Sequence, residues 1–290
     1  MKINQDKCIG CGNCTYVCPM GAIFINPRTV RSTINRDECV ECYACYNGLS
    51  AENLPPGIAR LTRKFFSLFA LRFEPEPDIC PTSAFEPDEL AWPRVVRRAF
   101  SDPRVPHEST GVLGRGTEEV KTNELTNRIK LGEVGVTIEF GRPGVGARFR
   151  EIQEMSRALA RANVSFEKNN PVATLMTDTA TGDIREDILD EKVLSAILEI
   201  GIPADRLEAV LRIVQEVEKR IDTTVILGVA VRCDEKGEDG IVTPILKRLG
   251  YDLVRAKTNL GLGRVNLRAL PVVETQYTMQ SPKREELSNA

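Results

Sequence analysis

At 290 residues the chain has room for more than one small domain, and 39 basic against 41 acidic residues leave a formal charge of −2. With no basic stripe and no RNA-type aromatic motif, nucleic-acid binding is set aside; no run of about eighteen apolar residues predicts a transmembrane helix. The single histidine, His107, excludes a His-based metal site and a two-histidine acid–base pair.

Eight of the nine cysteines lie in the first eighty residues. Four read Cys8-Ile-Gly-Cys11-Gly-Asn-Cys14-Thr-Tyr-Val-Cys18-Pro19, the C-x2-C-x2-C-x3-C-P run that closes around a [4Fe–4S] cluster. Three more repeat the two-residue gaps as Cys39-Val-Glu-Cys42-Tyr-Ala-Cys45, and Cys80-Pro81 follows after a long insertion. Short gaps let three thiolates reach one cluster without strain, so the expected chemistry is electron transfer. Structural zinc also uses cysteine pairs, but seven closely spaced cysteines with no matching histidine pair fit it poorly. Nothing resembling a secretory signal precedes Cys8, so a disulfide framework is not expected. Free thiolates in this number imply a reducing, cytoplasmic setting. Cys233 ends an apolar run with no cysteine nearby and reads as a buried core thiol rather than a ligand.

Over roughly residues 1 to 90 the chain resembles the bacterial two-cluster ferredoxins. The flanks carry the likeness too: Cys18-Pro-Met-Gly-Ala-Ile-Phe24 and Cys80-Pro-Thr-Ser-Ala-Phe85 share a Cys-Pro-x-small-Ala-apolar pattern. In that family the cysteine before proline ligates the other cluster. The resemblance therefore implies that Cys8, Cys11, Cys14 and Cys80 hold one [4Fe–4S] cluster, and Cys39, Cys42, Cys45 and Cys18 the second, at low potential. The departure is the last gap, which has grown into the whole stretch 46–79.

Inside that insertion, Leu61, Phe65, Leu68, Phe69 and Phe73 share one face of a predicted short helix, with Arg63 and Lys64 elsewhere on its circumference. The helix is expected to pack on the cluster module or on the second domain. A docking surface for a redox partner is the alternative; contact with a membrane surface is not expected from so short an apolar stretch. From Glu74 to about Gly132, Pro75, Pro77, Pro81, Pro87, Pro93, Pro103 and Pro106 break any long helix, and only Arg94–Phe100 reads as briefly helical. Trp92, Val95, Val96, Phe100, Val112 and Leu113 want burial, which predicts an ordered arm.

Beyond Gly132, Val134–Phe140 alternates as a strand, and Phe149, Ile152, Met155 and Leu159 recur at helical spacing. Val164–Phe166 returns as a short strand and Ala173–Met176 begins another. Helices are predicted at Ile188–Ile200 and Asp205–Ile221, broken at Gly201-Ile-Pro203. Thr224–Val231 reads as a buried central strand, Val242–Leu249 as a helix and Tyr251–Ala256 as extended. Strand, loop, helix and strand thus occur over Val134–Glu167 and again over Thr224–Lys257, which predicts an antiparallel sheet covered by helices on one face, the split βαβ arrangement. This is similar in topology to small ferredoxin-like or ACT-type folds. The expected whole is α+β: a two-cluster ferredoxin domain over 1–92, an extended arm over 93–132, an α+β sandwich over 133–273 and a polar tail over 274–290.

Two glycine-bearing loops, Gly141–Arg148 and Thr258–Arg264, carry cations. Arg142, Lys257 and Arg264 are candidate anion-binding residues for a carboxylate, a phosphate or a flavin-type cofactor, with tight turns and surface ion pairs as the competing reading. No nucleophile–base pair or acid dyad is visible by spacing. The expected function is electron transfer through two [4Fe–4S] clusters, as a subunit of, or dedicated donor to, a larger reductase. The alternatives are an iron–sulfur reductase whose C-terminal domain binds a small anion, and a redox- or ligand-sensing regulator.

Overall fold

The computed structural model describes residues 1–48, 53–71, 80–114, 128–234 and 236–253. The chain divides into two compact units, the first running from Met1 to Asp102 and the second beginning at Pro103.

In the first unit β1 (Lys2–Ile3) pairs antiparallel with β4 (Phe85–Glu86), and β2 (Ile23–Asn26) forms a hairpin with β3 (Arg31–Ile34). These strands are too short to bury much aliphatic surface, and a unit of this size has little to spare. Sulfur takes its place: Cys8, Cys14 and Cys80 are buried among Met1, Ile23, Tyr43, Ala84 and Phe85. The helices are α1 (Ala44–Asn47), α2 (Pro56–Leu68) and α3 (Val95–Ser101). Pro56 stands at the start of α2, where its missing N–H costs nothing. The helix ends as Ala70 turns left-handed at φ 55° and the Leu71 N–H returns to the Phe66 carbonyl at 3.0 Å, which satisfies an orphan carbonyl of the last turn.

Two expectations need correction here. The inserted helix does touch the cluster module, but through Arg60 and Arg63, while Ile58, Leu61, Phe65, Leu68 and Phe69 are exposed, Leu68 to 76%. Bonding those guanidinium groups to loop carbonyls turns the apolar face outward; Phe73 lies outside the described residues. The first unit also runs past residue 92 to include α3, because Arg94 and Arg97 bond back to the second cysteine loop.

The second unit is built on a four-stranded antiparallel sheet of β5 (Glu133–Phe140), β7 (Ser165–Phe166), β11 (Ala196–Pro203) and β12 (Val225–Val231), in the order β12-β5-β11-β7. β6 (Ala147–Arg148) pairs with β10 (Lys192–Val193), and β8 (Met176–Asp178) with β9 (Asp183–Ile184). Helices α4 (Phe149–Arg161) and α5 (Leu207–Glu218) pack against each other, and α6 (Val242–Arg248) packs on α5. Val134, Val136, Ile138 and Phe140 of β5 are fully buried, as are Phe149, Ile152, Met155 and Leu159 of α4 and Leu207 and Leu211 of α5.

Three sequence expectations fail in this unit. Ile188–Ile200 is not a helix; its second half belongs to β11, whose residues Ala196–Ile200 are all buried. A strand buried on both faces loses its alternation and cannot be told from a helix by periodicity. Among the described residues a second strand–helix–strand unit is Ala196–Val231, and the return strand expected at Tyr251–Ala256 lies largely outside the described residues. Among the described residues β12 lies at the edge of the sheet and is partly exposed rather than buried and central, and Cys233 just beyond it is exposed rather than buried.

Candidate iron–sulfur cluster sites

The two cysteine loops are built alike from the backbone up. Asn4 and Asn35 each stand four residues before a first cysteine, and their carbonyls accept the N–H of Cys8 at 2.9 Å and of Cys39 at 3.0 Å. Their side-chain oxygens accept the N–H of Asp6 at 2.9 Å and of Asp37 at 3.0 Å. Each loop then turns left-handed twice, at Gly10 (φ 69°) and Gly12 (φ 89°) in the first and at Glu41 (φ 55°) and Tyr43 (φ 60°) in the second. Only glycine fits at Gly10, where a Cβ would lie 2.0 Å from the Val30 carbonyl oxygen. Glu41 is held there by its partners. Its buried carboxylate accepts the Met1 ammonium at 2.6 Å and the Arg94 guanidinium at 2.9 and 2.7 Å.

This repeated geometry collects the thiols into two groups of four. Cys8, Cys11, Cys14 and Cys80 line one cavity with Ile3, Ile9, Ser32 and Phe85. Cys18, Cys39, Cys42 and Cys45 line another with Met1, Ile23, Ile34 and Tyr43. The grouping crosses over in the chain, Cys18 standing with the second loop and Cys80 with the first. The long insertion does not carry Cys80 away, since the Leu54 N–H bonds to the Pro81 carbonyl at 2.7 Å across it. The two Cys-Pro flanks also act alike: the Ala22 N–H donates to Cys18 Sγ at 3.3 Å and the Ala84 N–H to Cys80 Sγ at 3.2 Å.

Burial pushes the thiols of Cys14 and Cys42 up to about 11 and that of Cys45 to about 12, and raises Cys11 and Cys39 as well. Such thiols stay protonated at neutral pH unless a metal group deprotonates them outright. Among the described residues no three Cys, His, Asp or Glu side chains are gathered as a single ion requires. Four thiols ringing an apolar space, with N–H···S donors in place, fit a polynuclear iron–sulfur cluster.

Two pairs of arginines escaped the sequence reading. Arg60 and Arg63 of α2 bond to carbonyls of the first loop, and Arg94 and Arg97 to carbonyls of the second. The available signal was their shared spacing, three residues apart on a helical segment.

Of the anion-site candidates, Arg142 is among the described residues. Arg142 pairs with Glu139 at 3.2 Å, and the N–H groups of Val145 and Gly146 both donate to the Gly141 carbonyl, at 3.1 and 2.8 Å. Lys257 and Arg264 lie outside the described residues.

Residues 1–24 match the 4Fe-4S binding domain family. Two curated relatives, each a ferredoxin-1 of Rhodobacter capsulatus, are 37% identical over 59 residues, covering 18% of this chain and 88% of theirs. No solved structure matches.

Proposed function

This chain belongs to the bacterial-type ferredoxins through its first unit, and from that premise we propose that it relays electrons between two [4Fe–4S] clusters held in the two thiol rings. Iron–sulfur electron transfer is the activity of the family. The observation that carries the finer reading is the crossed grouping of Cys8, Cys11, Cys14 and Cys80 around one cavity and Cys18, Cys39, Cys42 and Cys45 around the other. A bound cluster supplies one-electron redox chemistry. The chain's own residues supply the thiolates, the N–H···S bonds from Ala22 and Ala84, and a largely apolar lining around the sulfurs. We place this activity in the cytoplasm, where free thiols persist.

The second unit favours a carrier tied to a larger reductase over a small diffusible one. Its sheet order and antiparallel pairing support a split βαβ fold, β5-α4-β7-β11-α5-β12. In the loop after β5 the Val145 and Gly146 N–H groups are bonded to the Gly141 carbonyl and Arg142 is paired with Glu139, which weighs against an anion-reducing site there. Anaerobically prepared protein is expected to carry about eight iron and eight acid-labile sulfide per chain. Cys80→Ala should make one cluster labile, and Cys233→Ala should leave iron content unchanged. Stoichiometric zinc without broad visible absorption would end this reading.

A further inference from the structure

Each cysteine loop is bonded to one pair of arginines set three residues apart. From α2, Arg60 donates to the carbonyls of Asp6 and Cys8, the latter at 3.5 Å, and Arg63 donates to that of Ile9. At α3, Arg97 Nη1 donates to the carbonyls of Arg36, Asp37 and Cys39 at 3.2, 2.8 and 3.0 Å. Arg94 Nη2 reaches the carbonyls of Arg36 and Cys39 at 3.0 and 3.4 Å. The two pairs come from unrelated helices, one inside the insertion and one after the last cysteine. Both nonetheless reach the carbonyl of the first cysteine of their loop, Cys8 or Cys39.

Carbonyls in a tight loop need donors, and any donor would serve that purpose. A guanidinium brings more: a permanent charge, held by hydrogen bonds to the loop beside a ring of buried and half-buried thiols. Arg97 is 4% exposed, so solvent and salt screen it little. A fixed positive charge next to a redox centre favours whichever state carries the extra electron, and net charge is among the factors that set cluster potentials. Arg94 is partly offset by Glu41, which also takes the Met1 ammonium.

We propose that the arginine pairs are two separate electrostatic clamps. Arg60 and Arg63 favour the reduced state of the cluster in the ring of Cys8, Cys11, Cys14 and Cys80. Arg94 and Arg97 do the same for the ring of Cys18, Cys39, Cys42 and Cys45. These are positioning residues that act through the loop on the cluster, and the proposal rests on the two-cluster reading.

The test is an anaerobic redox titration of the full-length protein with dithionite as electron donor, one electron per cluster, followed by electron paramagnetic resonance. R60Q/R63Q is expected to move half of the titrating amplitude to lower potential and leave the other half in place. A tenfold loss of the reduced form at fixed poise corresponds to about 59 mV. R94Q/R97Q should move the complementary half. R60K/R63K and R94K/R97K keep the charge and should return each wave towards the wild-type position. If a double Gln variant sheds iron, R60Q and R97Q alone are titrated under the same criterion. Iron-replete Gln variants with both waves unmoved would overturn the proposal. So would Lys variants that shift as far as the Gln variants, since the carbonyl bonds and not the charge would then matter. A wild-type iron count of about four would instead overturn the two-cluster reading beneath it.

Discussion

His107 is 1% exposed in a turn where the N–H groups of Thr110 and Gly111 both bond to its carbonyl. Burial pulls its imidazole down to about 4, which a ring bond to the Gly114 backbone only partly resists. The folded chain therefore holds a neutral ring while the unfolded chain takes up a proton near pH 6.5. A depressed folded value means that this contribution to stability is complete above about 6.5 and is lost as pH falls towards 4, by at most about 1.4 kcal/mol per unit. The melting temperature of His107→Gln is expected to fall less than that of wild type between pH 6.5 and 5. Comparing the two proteins at each pH cancels the acid lability of the iron sites, and parallel curves would show that His107 titrates normally. At this scale the cysteines were legible because their spacing is local. The arginine pairs were not, because Arg60 and Cys8 stand 52 residues apart and Arg94 and Glu41 stand 53 apart.

Among the elements, α2 shows how a correct helix can be given the wrong face. Its apolar stripe was visible, and a stripe ordinarily turns inward. Here Ala59 is the one buried residue of the helix, while Phe65 and Phe69 stack edge to face at 5.3 Å in the open. Emptying a buried ring site costs about 3–5 kcal/mol, whereas an exposed substitution stays within about 0.5 kcal/mol. Replacing both Phe65 and Phe69 with Ser should therefore leave the thermal midpoint and the iron content close to wild type. A drop of the buried-ring size would mean that the face is covered in solution. The second unit was legible where one strand face is only half-buried and alternation survives, as at residues 136–140 of β5. It failed at β11, where Ile197 and Glu199 are buried opposite Leu198 and Ile200 and the period disappears.

For the whole molecule, the division at Asp102 rather than at residue 92 has a consequence for folding. The Cys-Pro motif closes the cysteine set at Cys80, and β4 at Phe85–Glu86 completes the pairing with β1, so a sequence boundary near 92 takes in every ligand and strand. It leaves out Arg94, which bonds the buried Glu41 carboxylate at 2.7 Å, and Arg97, which holds the Cys39 carbonyl at 3.0 Å. Glu41 would keep only the Met1 ammonium, and breaking a buried ion pair by removing one partner costs about 3–5 kcal/mol. The segment 1–102 alone is expected to hold its iron as firmly as the full chain. The segment 1–92 should release about half of its iron several-fold faster, the half bound by Cys18, Cys39, Cys42 and Cys45. Iron release to a chelator under anaerobic conditions reads this directly. Equal release from 1–92 and 1–102 would show that α3 is dispensable for the second ring, and rapid release from 1–102 would show that the second unit is needed to hold the first together.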